Sequence, residues 1–224
     1  MALVLASTAR LVAAGTCGSY FSLVAVASPM PRDGVVLLEL LGDRDAIAEA
    51  LPHAHFVTAD GDVPARVVDM LEGGHLQVVL APTRTLPAGQ VVHLALGIDE
   101  VDAELQASPV SVGDETSSTP PSWRHAPSPD HWIDIASNKG DGTHAMRVNV
   151  PLAGPAWVLA TISTADRTAR AIYRVDDNAI AIGHTGCHSM YSIALGGPAR
   201  VALTAIGASG LHVPAPGPPL KIAF

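Results

Sequence analysis

VTADGDVPARVVDMLEGGHLQVVLAPTRTLPAGQVVHLALG, residues 57–97, is the stretch whose reading decides the fold. Short apolar runs alternate in it with Asp60-Gly61, Gly73-Gly74 and Pro87-Ala88-Gly89. Glycine next to a small polar residue supplies the positive φ that tight hairpin turns need, and runs this short suit strands rather than helices. The stretch therefore predicts strands at 55–59 and 63–70 around Asp60-Gly61, then a further hairpin of strands 76–81 and 90–96 across the TRTLPAG segment.

Upstream, residues 21–27 and 35–41 read as two more strands about a Pro29-Met30-Pro31-Arg32-Asp33-Gly34 turn. Their apolar runs are continuous rather than alternating, as in strands of a sandwich core. DRDAIAEAL, residues 43–51, is the one stretch of helical composition and is long enough only for a connecting turn of helix. Downstream, composition shifts from residue 99 to acidic, Ser, Thr and Pro content, and 107–131 reads as an interdomain linker stiffened by Thr119-Pro120-Pro121. The remainder returns to short apolar runs at 146–152, 156–164, 169–175, 179–183, 190–196, 199–210 and 220–224. They are parted by Gly154-Pro155, Ala165-Asp166-Arg167, Asp176-Asp177-Asn178 and Gly196-Gly197-Pro198, the spacing of a seven-strand sandwich.

The 224 residues are 48% hydrophobic, with 20 Gly and 18 Pro dispersed among the apolar runs, so the chain buries a core and suits two domains of roughly 100 residues each. Net charge is −8 with lysine only at 139 and 221, and the arginines are scattered. That balance lacks the basic stripe nucleic acid requires and the cation cluster an anionic membrane requires.

Residues 1–15, apolar and ending in Ala13-Ala14-Gly15, read as a secretory signal peptide, with an ordinary first strand as the competing reading because Arg10 interrupts the run. The segment is too short and too interrupted to span a membrane. Cys17 and Cys187 are the only cysteines. In an exported chain they are a candidate disulfide; in a reducing compartment they are two free thiols.

Several local motifs resemble known modules. In VVLAPTRTLPAGQVVHLALG, Val79, Pro82, Leu86, Gly89 and Leu94 occupy the places of the last hairpin of the bacterial Ig-like domain of S-layer and other exported surface proteins, a resemblance covering roughly residues 24–100. DETSSTPPSW, residues 114–123, looks like the opening of a following Ig-like module in a tandem array, and LTAIGASG resembles the close of a fibronectin-like one, with Gly207 where that family has an acidic residue. The resemblance implies an all-β chain of two tandem Ig-like β-sandwiches, 16–106 and 132–224, exported by a bacterium. Its expected work is adhesion, structural display or docking on a protein or cell-surface polymer, homo-polymerisation through strand edges included.

Three constellations carry candidate chemistry. His184, Cys187 and His188 are borderline-soft ligands for zinc or copper, with His125 or His131 to complete a shell, but a metal-bound Cys187 excludes the disulfide. Trp123 and Trp132 could stack on sugar rings as a carbohydrate-binding platform. Acidic turns at Asp60-Gly-Asp62, 99–102, Asp141 and 176–178 offer oxygen ligands to calcium, without the regular spacing of a preformed cage. His53 and His55 read as solvated residues at a strand start. No nucleophile elbow and no phosphate loop occurs, Gly207-Ala-Ser209-Gly210 having the wrong spacing, so the expectation is a non-catalytic chain without a cofactor.

Overall fold

The computed structural model describes residues 20–41, 44–72, 76–117, 119–135, 143–183 and 198–223. These residues are predominantly β and all strand ladders are antiparallel, so the chain is all-β. The first half supplies β1 (Tyr20–Ala25), β2 (Val36–Leu41), β3 (His55–Val57), β4 (Val63–Glu72), β5 (Leu76–Pro82), β6 (Val91–Ala95) and β7 (Val110–Ser111). They form one sheet in the order β1-β2-β5-β4-β3-β6-β7. A parallel bridge from Met30 to Val112 brings its ends together, with Met30 N–H on Ser111 O at 2.8 Å and Gly113 N–H on Met30 O at 2.8 Å. A single nearly closed sheet thus stands where the sequence predicts two facing sheets.

The second half supplies β8 (Ser122–Trp123), β9 (Ser128–Ile135), β10 (Thr143–Asn149), β11 (Leu152–Ala153), β12 (Ala156–Ser163), β13 (Thr168–Arg174), β14 (Ala179–Gly183), β15 (Pro198–Gly207), β16 (His212–Pro214) and β17 (Leu220–Ala223). A three-stranded sheet, β14-β10-β9, faces a larger one, β13-β12-β15-β16, in which β17 lies beside β16 on the same flank of β15. β8 and β11 form a separate small pair.

Turn chemistry follows the sequence. Gly61 between β3 and β4 has φ 108°, and Gly89 between β5 and β6 has φ 68°, although β5 and β6, expected to pair across TRTLPAG, each pair with other strands. Asp177 and Asn178 at φ 46° and 55° form a primed turn bridged by Asp176 and Ala179, from which β13 and β14 pass into different sheets. The expected helical turn is α1 (Arg44–Ala50), followed by a 3-10 turn, Leu51–His53.

The acidic stretch after residue 98 departs from expectation. Asp99–Gln106 is a helix, α2, with Asp99, Glu100 and Asp102 in the first turn, where the helix dipole favours them. The Asp102 carboxylate accepts Leu96 N–H at 2.7 Å and Gly97 N–H at 3.0 Å, tying the helix start to the end of β6. Beyond it, Val110 and Val112 are buried in the first core, and β8 and the first half of β9 are built from residues expected in the linker. Polar composition concealed ordered chain because the few apolar residues that anchor it are widely spaced.

Side-chain parity assigns each strand's two faces. On β2 and β5 the even positions Val36, Leu38, Leu40, Leu76, Val78 and Leu80 fill the interior of the seven-stranded sheet. On β12 the even positions Ala156, Val158, Ala160 and Ile162 face the three-stranded sheet, meeting Met146, Val148, Ile180 and Ile182. The opposite faces of β2, β5 and β12 point at one another across a third core, and every residue of β5 is buried. The continuous apolar runs of these strands come from burial on both faces between two β-units.

Candidate functional site

The third core consists of Val35, Leu37, Leu71, Val79 and Ala81 from the first unit against Trp157, Leu159, Ile172 and Ile206 from the second. Each of the Val, Leu and Ile side chains contributes about 1.5–3 kcal/mol when withdrawn from water. One polar group lies within this apolar contact. Gln77, 2% exposed, donates Nε2–H to Ile172 O at 2.8 Å and accepts Ile172 N–H on Oε1 at 2.8 Å. Its Nε2 also donates to Glu39 Oε1 at 2.8 Å. Glu39, 6% exposed, takes Arg174 Nη2–H on its other oxygen at 2.8 Å, and Arg174 reaches on to the Ser22 hydroxyl. Further along β13, Arg170 Nη2 lies 3.3 Å from the Asp69 carboxylate on β4. Neither Gln77 nor Glu39 was singled out by sequence reasoning. The available signal is a lone polar residue inside an otherwise apolar run, in VVLLELL and in LQVVLAP.

Residues 207–211, which the sequence excludes as a nucleophile elbow, dock the β15–β16 hairpin onto the first unit. Val35 N–H donates to Ala208 O at 2.9 Å. A Cβ on Gly207 would come 2.5 Å from Pro121 Cδ, and one on Gly210, at φ 78°, would come 3.0 Å from Val35 Cγ1. Gly210 permits close approach to Val35 and Val68 of the first unit and needs its left-handed backbone, whereas Gly207 lets β15 pack closely on Pro121 just before β8.

The residues singled out for ligands are dispersed. Trp123 is half-buried against the second core, and its indole N–H donates to Val213 O at 3.0 Å, so it serves packing. Trp132, in β9, is 41% exposed. Cys17, His184, Cys187 and His188 lie outside the described residues, as does Asp141, so the disulfide and the metal cluster are not addressed by the structure. Of the completing histidines, His131 Nδ1 sits 3.1 Å from Asp130 and His125 Nδ1 lies 3.2 Å from Ala126 O. His55 lies 3.8 Å from Asp62 and its Nδ1 is 3.0 Å from His53 O. Asp60 accepts Gln90 Nε2–H at 2.9 Å, and 176–178 form the turn already described, so these acidic residues serve turns and caps. Among the described residues no group of three or more His, Cys, Asp or Glu converges as a metal site, and no helix is long and apolar enough to cross a membrane.

Among the described residues two groups are perturbed. Complete burial drives the Tyr173 phenol well above its ordinary value. The Thr164 hydroxyl, donating at 2.7 Å, holds the exposed Asp166 carboxyl below the ordinary carboxylate value, helped by its own backbone amide and by Arg167. Neither lies in a cluster suited to acid–base chemistry.

Fold and junction define an all-β protein whose two units share a core. No protein-family model and no curated relative matches the sequence. Among solved structures it is similar to pullulanase type I from Bacillus subtilis str. 168 complexed with maltose, at 11% identity and a TM-score of 0.28, over 88% of this chain and 24% of that one. The chain thus spans about a quarter of that protein's length, and a likeness this slight carries no argument.

Proposed function

We propose that the chain is an exported, non-catalytic structural or interaction module of the bacterial surface or periplasm, acting on a protein or surface polymer. The observation that carries this reading is the use of polar groups at the junction. Glu39, Gln77 and Arg174 hold one β-unit against the other, which favours a rigid scaffold that presents its loops and strand edges. The strand arrangement of the second unit supports an Ig/fibronectin-like reading of residues 132–224, since β14-β10-β9 faces β13-β12-β15 with β16 and β17 across one core. The Ig-like reading of 16–106 has its support in the hairpin motif at 79–94. A disulfide between Cys17 and Cys187 belongs to the same proposal.

Fractionation of the native host, with intact mass measured before and after reduction, tests it. A chain in the envelope or medium that begins near Thr16 supports export, and a gain of two mass units on reduction supports the bridge. A full-length cytosolic chain with two free thiols overturns both and returns His184, Cys187 and His188 to consideration as metal ligands.

A further inference from the structure

We propose that the junction is a clamp that makes the two β-units one cooperative body, so that neither opens without the other, and that Gln77 is the positioning residue that sets this coupling. Units within one chain ordinarily meet through modest, rather polar surfaces and move relative to one another. Here the contact is a core in its own right, with nine buried apolar side chains divided between the units. β5 and β12 each form a wall of two cores at once, so melting either unit strips one face from a strand layer of the other.

Separation also has a polar cost that packing alone would not impose. Withdrawing Gln77 leaves Ile172 N–H, Ile172 O and the Glu39 carboxylate short of partners together, because one carboxamide serves all three. The main-chain bond from Val35 to Ala208 and the close approach of Gly210 to Val35 and Val68 hold the crossing at a second place on the junction. Coupling of this kind is reciprocal: a partner that grips the loops of one unit protects the other from opening as well. The inference rests on junction geometry and is independent of export, so either can fail alone.

Native-state hydrogen exchange of the full chain in rising sub-denaturing urea tests it, read at one strand of each unit that contributes nothing to the third core, β6 (Val91–Ala95) and β14 (Ala179–Gly183). The wild-type chain is expected to show one opening free energy and one urea dependence at both strands. Separate urea dependences in the wild type overturn the clamp. In Gln77→Met, which keeps volume and deletes the amide, the two strands are expected to part by at least tenfold in exchange rate. A variant that loses stability while these two strands stay coincident overturns the role of Gln77. Should Gln77→Met not fold, Gln77→Asn, whose amide is drawn short of Ile172, gives the same two readings.

Discussion

Gln77 and Ile172, 95 positions apart in the chain, close a two-point hydrogen-bonded ring in which a side-chain amide takes both main-chain groups of one residue. In an antiparallel ladder a residue either exchanges both bonds with its partner or turns both away, and among the described residues β13 ends its sheet with β12 as its only ladder partner. The amide of Gln77 therefore occupies the hydrogen-bonding position of an absent neighbouring strand. An open sheet edge is a liability that proteins must cover, and here a side chain from the other β-unit covers it.

Gln77→Met is expected to lower stability by about 2–4 kcal/mol, because buried donors and acceptors lose their partner while volume is kept. Urea denaturation of wild type and variant measures it, and a change below about 0.5 kcal/mol would refute the assignment.

The ion pair beside it is expected to respond asymmetrically. Arg174→Met strands a buried carboxylate on Glu39, whereas Glu39→Gln leaves a guanidinium whose side chain is already 42% exposed and can return to water. Arg174→Met should cost about 2–3 kcal/mol and Glu39→Gln about 1 kcal/mol or less. The double variant, denatured alongside, should be no less stable than Arg174→Met alone.

Gly207→Ala is expected to lower the melting temperature by several degrees, since its Cβ would meet the rigid ring of Pro121 at 2.5 Å, an overpacking worth about 1–3 kcal/mol. Gly113→Ala, whose Cβ would stand 3.4 Å from Pro29 Cγ, is the near-neutral control. Calorimetry of the pair distinguishes a real contact from a general intolerance of alanine.

Asp102→Ala removes the acceptor of two main-chain N–H groups at the β6–α2 corner and is expected to cost about 1–2 kcal/mol. Faster amide exchange confined at first to Leu96 and Gly97 is the local signature to measure.

Tyr173 and Asp166 set opposite pH dependences. The folded state holds the Tyr173 proton more tightly than the unfolded state, so that contribution is complete below the ordinary phenol value of 10.0 and declines as pH rises beyond it. Tyr173→Phe should flatten the alkaline limb of a stability–pH curve. Asp166 is depressed, so its contribution is present above the unfolded value of 3.8 and is lost as pH falls through the folded one. A carboxyl titration followed by NMR should place Asp166 below 3.8, and Thr164→Ala should move it back up.

Turns were the legible part of this fold, though of the clearest of them only Asp60-Gly61 joins two strands that pair. Asp60-Gly61, the Gly89 turn and Asp177-Asn178 announce themselves because few residues tolerate a positive φ, and the strands they separate fall within a few positions of expectation. Which strands pair was not legible, since β5 lies between β2 and β4 in one nearly closed sheet while local turns report only sequence neighbours. α2 was hidden by its own acidity, having Leu105 as its single buried residue. The unbroken apolar run of β5 did record burial on both faces, but such a run looks the same in a sandwich interior as between two units. At the junction the signal was a solitary Glu39 and a solitary Gln77 among aliphatic neighbours, and their partners at 172 and 174 are too distant in sequence for any spacing rule to join them. Trp123 was legible as an aromatic near a boundary, while its bond to Val213 was not.

Strands buried on both faces also limit how this chain can be inherited. A sandwich whose outer surfaces are wet can be excised, duplicated and respliced as a cassette, whereas here either half taken alone would carry an oily face into solvent. Recombination within residues 107–131 would part Leu37 and Val79 from Trp157 and Leu159, so the smallest piece that can be shuffled between proteins is the pair.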